Sequence, residues 1–154
     1  MSTRMTVAER ETFLAGTHIG VLSVPEGRAP LLIPIWYAYT PGGEIRISTP
    51  AGSRKLSLIR EAGYVGFAVQ QEEMPYKFVS VDGPVVAYEP TDPEEYREWA
   101  SRYLGPSSGA RFFEAIEKDL ANWVTIRIRP ERWRTFDFGK EFSCIHGAAF
   151  CGGW

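Results

Sequence analysis

The chain has 154 residues, 17 Lys and Arg against 19 Asp and Glu for a formal charge of -2, and 44% hydrophobic with 14% aromatic content. This composition supports one domain with its own packed core and excludes a mainly disordered chain. The near balance of charge leaves no basic field for nucleic acid or an anionic lipid surface. No apolar run approaches the roughly 20 residues that span a bilayer, and residues 1–11 are polar and charged rather than a signal peptide, so a cytoplasmic location without membrane is expected. Both cysteines, Cys144 and Cys151, fall near the end of the chain, so residues 1–142 must hold by packing without a disulfide.

Thr6 and Glu9 have the spacing of a capping box ahead of Phe13 and Leu14, which predicts a helix over 7–15 ending at Gly16. Strands are expected over 17–24, 30–39 and 44–49, the last two joined by Pro41-Gly42-Gly43, with Ile45 and Ile47 alternating against Glu44 and Arg46. Leu56 and Ile59 share one side of a helix over 53–61, stopped by Gly63. A second hairpin follows, with strands over 64–70 and 76–88 and a bend at Gly83-Pro84. Thr91-Asp92-Pro93 opens a helix whose apolar stripe runs from Tyr96 through Trp99 to Leu104 before Gly105-Pro106. Ser107 or Ser108 caps a further helix carrying Phe112, Phe113, Ile116 and Leu120, and residues 123–129 return to strand, extended past Pro130 by 133–138.

Six strands, three or four short helices and no strand-helix-strand rhythm predict a mainly β fold, a mostly antiparallel barrel over 1–140 with peripheral helices. Residues 141–154 form a Gly-rich tail. In it, Cys144, His146 and Cys151 supply three soft or borderline ligands; structural zinc takes four, so no metal site is assigned, and the tail is read as one without a special role, a redox-sensitive Cys144–Cys151 pair being a lesser alternative.

The stretch most informative about chemistry is Ser48-Thr49-Pro50-Ala51-Gly52-Ser53-Arg54-Lys55, in which a strand ends in two hydroxyls and a helix begins with two cations. Cations are disfavoured at a helix N-terminus by about 0.3–1 kcal/mol each. A bound phosphate reverses that sign, because backbone N–H groups, hydroxyls and both cations then converge on it. Alternatively, Ser53 is a simple N-cap and both cations bend into solvent.

The order Leu14-Ala15-Gly16-Thr17-His18-Ile19-Gly20, Pro34-Ile35-Trp36-Tyr37, Ser48-Thr49-Pro50 with Gly52-Ser53-Arg54-Lys55, and Pro75-Tyr76-Lys77-Phe78 to Gly83-Pro84 resembles the pyridoxamine-phosphate-oxidase-like family of flavin and deazaflavin split-barrel proteins. Arg102-Tyr103-Leu104-Gly105, Arg129-Pro130-Glu131-Arg132-Trp133 and Phe138-Gly139-Lys140 are similar to its subgroup that uses coenzyme F-420. The resemblance, over roughly 6–140, implies a six-stranded antiparallel split β-barrel that pairs as a homodimer, with cofactors in grooves between the copies. It implies an oxidoreductase passing a hydride from bound deazaflavin F-420 or FMN to an unsaturated small-molecule substrate; the alternative is a non-catalytic carrier of flavin, deazaflavin or haem. Carried over by position, Ser48, Thr49, Ser53, Arg54 and Lys55 would hold the cofactor phosphate. Pro34, Ile35 and Trp36 would run beside the ring, Gln70 and Gln71 would reach it across the groove, and Lys77 would meet an acidic group of cofactor or substrate. For Trp36 filling a core, Gln70 and Gln71 as solvated hairpin ends, and Lys77 as a solvated strand end are the competing readings. His18 receives no role, and no catalytic residue is assigned. The proton for such a reaction is expected from Tyr37, Tyr76 or solvent.

Overall fold

The computed structural model describes residues 2–141, and its first element is the one that the Thr6–Glu9 spacing predicts. In helix α1 (Val7–Leu14) the Glu9 N–H donates to Thr6 Oγ1 at 3.1 Å and the Thr6 N–H donates to Glu9 Oε1 at 2.9 Å, which satisfies two of the helix's orphan donors. Leu14 closes the helix fully buried.

Strand β1 (Gly20–Val24) pairs antiparallel with β2 (Leu31–Ile35), but the strand expected over 30–39 is broken in two. Its second part, β3 (Ala38–Tyr39), pairs instead with β4 (Ile45–Pro50) in the other half of the sheet. The break has a physical cause in the Tyr37 peptide, whose polar groups are satisfied by side chains from far along the chain. Its N–H donates to Tyr103 Oη at 3.1 Å, and its carbonyl accepts from Arg102.

Helix α2 (Arg54–Ala62) is capped by Ser53, whose hydroxyl accepts from the Leu56 N–H, and is ended by Gly63 in the left-handed region at φ 66°. Strands β5 (Tyr64–Gln71) and β6 (Lys77–Pro90) form the expected second hairpin. Helices α3 (Pro93–Leu104) and α4 (Pro106–Ile116) follow, then β7 (Trp123–Ile128) and β8 (Arg132–Asp137). Helix α4 starts at Pro106, with Ser107 and Ser108 inside its first turn, and Leu120 belongs to a separate 3-10 turn over Asp119–Asn122.

The described residues thus hold eight strands rather than six, in the order β2-β1-β5-β6-β7-β4-β3 with β8 also on β6, all antiparallel. Residues 133–138 do not prolong β7. Beyond Pro130 the chain crosses to the other half of the sheet and pairs with the first part of β6, Lys77 to Asp82. Gly83 makes the crossing possible, because a Cβ there would lie 1.8 Å from the Arg129 carbonyl oxygen. Strand β6 therefore serves β5 and β8 with its first half and β7 with its second, past an irregularity between Val85 and Ala87. The result is a curled antiparallel sheet, a split barrel with peripheral helices.

Inside the curl, Leu14, Leu22, Tyr37, Ile47, Ile59 and Ile126 belong to one buried cluster. A second cluster of Ala38, Tyr96, Trp99, Phe113 and Leu120 seats α3 and α4 against the barrel. No helix among the described residues is long and apolar enough to cross a membrane.

Candidate functional site

The hydroxyl-rich end of β4 is buried and internally bonded. Ser48 Oγ lies 2.5 Å from Thr91 Oγ1, which in turn lies 3.1 Å from Thr125 Oγ1. Thr49 Oγ1 lies 3.1 Å from Ser53 Oγ and accepts from Lys55 Nζ at 3.2 Å, so Ser48, Thr49, Ser53 and Lys55 form one corner. Lys55 and Ser48 line a hollow of about 230 Å³ with Pro34, Ile35, Trp36 and Trp123.

Arg54 is placed elsewhere. Its guanidinium pairs with Glu26 in the β1–β2 turn, its side chain is 73% exposed, and it does not line the hollow. Successive side chains on a helix diverge by about 100°, and here the two adjacent cations have different partners. The charge anomaly at the start of α2 is thus answered by a carboxylate for Arg54 and by hydroxyl oxygen for Lys55.

Pro34 also borders a second hollow, of about 640 Å³, walled by His18, Ile19, Val21, Ala68, Gln70 and Phe78. The sheet register explains this wall: Val21 stands opposite both Pro34 and Ala68, and Gln70 opposite Phe78, all on the outer face. His18 borders a third hollow as well, of about 510 Å³, containing Glu9, Gln71, Lys77 and Asp137. Pro34 lines both the first and the second hollow and His18 both the second and the third; this run of hollows, the candidate groove, is cationic and hydroxylic in the first, apolar in the second and mixed in charge in the third.

Along the groove the glutamines separate, as alternation in a strand requires. Gln70 faces the apolar hollow, whereas Gln71 faces the one with Lys77 and donates to the Pro75 and Glu73 carbonyls at 2.9 and 3.2 Å, closing the β5–β6 turn. Trp36 stacks on Tyr103 with centroids 4.8 Å apart and meets Phe112 edge-on at 5.5 Å, so its ring packs against α3 and α4 while it also lines the hollow with Lys55.

Sequence reasoning gave His18 no role, yet it touches two of the three hollows. Its Nε2 lies 3.1 Å from the Phe13 carbonyl and its ring 4.6 Å from the Phe13 ring. Burial holds its pKa below the ordinary histidine value, against the opposing pull of that carbonyl. The neutral imidazole donates one N–H to Phe13 and keeps its other nitrogen as an acceptor. The outward neighbours Ile19 and Val21 were the signal for this placement.

Tyr37 is unsuited to supply a proton. Its hydroxyl is buried and donates to the Leu14 carbonyl at 2.6 Å, and burial raises its pKa far above the ordinary tyrosine value. Tyr76, one residue before Lys77, is exposed with its ring beside that of Phe138. The tail residues Cys144, His146 and Cys151 lie outside the described residues, among which no group of three metal-ligating side chains occurs.

The family model described as pyridoxamine 5'-phosphate oxidase matches residues 6–135. No curated protein matches the chain. Among solved structures, an F-420 reductase is 26% identical with a TM-score of 0.66, covering 80% of this chain and 94% of its own. A conserved hypothetical protein of Mycobacterium tuberculosis is 25% identical with a TM-score of 0.71, covering 92% of this chain and 93% of its own. A FAD- and haem-binding protein of Mycobacterium smegmatis, 16% identical with a TM-score of 0.57 over 99% of this chain and 80% of its own, shares the fold. With the family match running from the α1 cap to the penultimate turn of β8, this chain belongs to the pyridoxamine 5'-phosphate oxidase-like family of split barrels.

Proposed function

We propose that the protein is an oxidoreductase that holds a flavin-type cofactor, deazaflavin F-420 or FMN, along this groove and reduces an unsaturated small organic molecule. The observation that carries the reading is the hollow lined by Lys55 and Ser48, with Thr49 bonded to Lys55 behind it, beside the apolar wall of Val21, Pro34, Ala68 and Phe78. The donor set fits the group: an ammonium and hydroxyls match a phosphate, and an apolar wall matches one face of a tricyclic ring. When bound, the cofactor supplies the hydride.

The chain's own residues bind and orient. Lys55 and the Ser48, Thr49 and Ser53 hydroxyls anchor the phosphate, while Pro34, Ile35 and Gln70 lie along the ring's path. Lys77 offers a cation to an acidic group at the far end, and Arg54, tied to Glu26, lies off this path. The proton that accompanies the hydride comes from Tyr76 or solvent, since the Tyr37 proton is committed to Leu14. F-420 is favoured over FMN by the 26% identical reductase, whose likeness extends over nearly its whole length.

The groove is completed by a second copy of the chain in a homodimer. Val21, Pro34, Leu32 and Phe78 are exposed on one sheet face, Leu32 at 61%, a contiguous apolar surface that a lone soluble chain rarely presents. The test is to titrate pure protein with FMN, FAD and F-420, then supply each reduced complex with enone and quinone acceptors. Binding with turnover supports the reading. Binding with no turnover over a broad panel makes the protein a carrier, and failure of all three cofactors to bind overturns both.

A further inference from the structure

The edge of β8 carries a different kind of hollow. Near its end the N-terminal segment closes the strand, with the Asp137 N–H donating to the Thr3 carbonyl at 2.8 Å and the Met5 N–H donating to Thr135 Oγ1 at 3.0 Å. Beside these contacts lies a space of about 510 Å³ lined by Arg4, Met5, Arg10, Trp133, Arg134 and Thr135. Arg4, Arg10 and Arg134 are all among the residues that line it, and no carboxylate is.

Two of the three charges have no carboxylate partner among the described residues, and the third shares one. Among the described residues neither Arg4 nor Arg10 forms an ion pair, and Arg134 reaches Asp82 only at 3.5 Å. The Asp82 carboxylate already accepts from Arg132 at 2.9 Å and from Tyr64 at 2.8 Å. Glu11, adjacent on α1, engages the Tyr39 hydroxyl. Arg10 lies 4.3 Å over the Trp133 ring, which fixes the plane of its guanidinium, and its Nε is buried with no acceptor. A buried, charged donor without a partner is disfavoured by desolvation, and the unpaired cations Arg4 and Arg10 line the same hollow. An oxyanion entering the hollow offsets their charge.

We infer that this hollow is an anion site that takes the carboxylate or phosphate group of a small organic anion, distinct from the corner at Lys55. The arginine fork matches a planar or tetrahedral oxyanion through paired N–H donors. Thr135 adds a donor, because its oxygen accepts from Met5 and its hydroxyl proton is left to point at a ligand. Met5 also borders the hollow that holds Lys77, so the site adjoins the far end of the groove but does not depend on which cofactor occupies it.

The test uses the full chain carrying Lys55→Ala, so that the other cation corner is silent, titrated with succinate and with inorganic phosphate at constant ionic strength in a calorimeter. Saturable one-site binding of either probe is expected. Arg10→Gln weakens it about 10-fold or more and Arg4→Gln about 3-fold, as losses of charge-assisted bonds do. Arg111→Gln, exposed on α4, leaves it unchanged. Should Arg10→Gln not fold, Arg4→Gln and Arg134→Gln carry the test together. Binding of succinate alone identifies a carboxylate ligand and of phosphate alone a phosphate ligand. No saturable binding of either probe up to about 10 mM, or an equal loss in Arg111→Gln, overturns the inference.

Discussion

Lys55 and Thr49 meet at 3.2 Å across the end of β4, whereas Arg54, one residue earlier, is held by Glu26 in the β1–β2 turn. Adjacent cations therefore differ in consequence. Lys55→Ala is expected to weaken FMN or F-420 binding about 10- to 100-fold, the loss of one charge-assisted bond. Arg54→Ala should change it less than about 3-fold. Fluorescence titration of the two variants checks this, and equal losses would contradict the assignment of the corner.

Tyr37 donates to the Leu14 carbonyl at 2.6 Å in the core. Tyr37→Phe leaves that carbonyl without its hydroxyl partner and should lower stability by about 1–3 kcal/mol. The pH profile of turnover should not move, because this hydroxyl moves no proton. A changed profile with stability intact would mean that Tyr37 participates in the chemistry.

The folded chain holds the His18 pKa below its ordinary value, so between those two values the unfolded chain binds more protons than the folded one. Stability contributed by neutral His18 is present above the unfolded value, near 6.5, and declines as pH falls through it toward the folded one. Urea midpoints measured from pH 5 to 8 should fall on the acid side in the native chain and flatten in His18→Gln. Parallel curves would show that the imidazole is not the group responsible.

The homodimer is tested on the open sheet face. Leu32→Glu together with Phe78→Glu should convert a dimer to monomers in sedimentation without unfolding them, since both side chains are exposed within one chain. Sedimentation identical to that of the native chain would place any interface elsewhere.

Local chemistry was the legible part of this fold. Thr6 with Glu9, Asp92 with Pro93, and Gly63 each declare a helix end within a few residues, and the elements they bound are where the sequence puts them. The division of residues 30–39 was hidden because both pieces are apolar and the Tyr37 peptide is satisfied by Tyr103, 66 residues away. The path of residues 133–138 was hidden for the same reason, since only the carbonyl of Arg129 passing over Gly83 shows why the chain leaves β7. At the site, the hydroxyls and Lys55 could be read from one contiguous stretch. The Arg54–Glu26 pair spans 28 residues, which no local pattern records, whereas the place of His18 was signalled only by its outward neighbours Ile19 and Val21.

Strand β6 belongs to both halves of the barrel, since its first residues bond β5 and β8 and its last bond β7. Among the described strands β6 is the link between the β2-β1-β5 half and the β7-β4-β3 half, so melting is expected to be all-or-none, with the β6 amides among the slowest in the molecule to exchange with deuterated solvent. A barrel split in architecture is thereby joined in cooperativity, and the walls of the groove stay in register because they hang from one shared length of backbone.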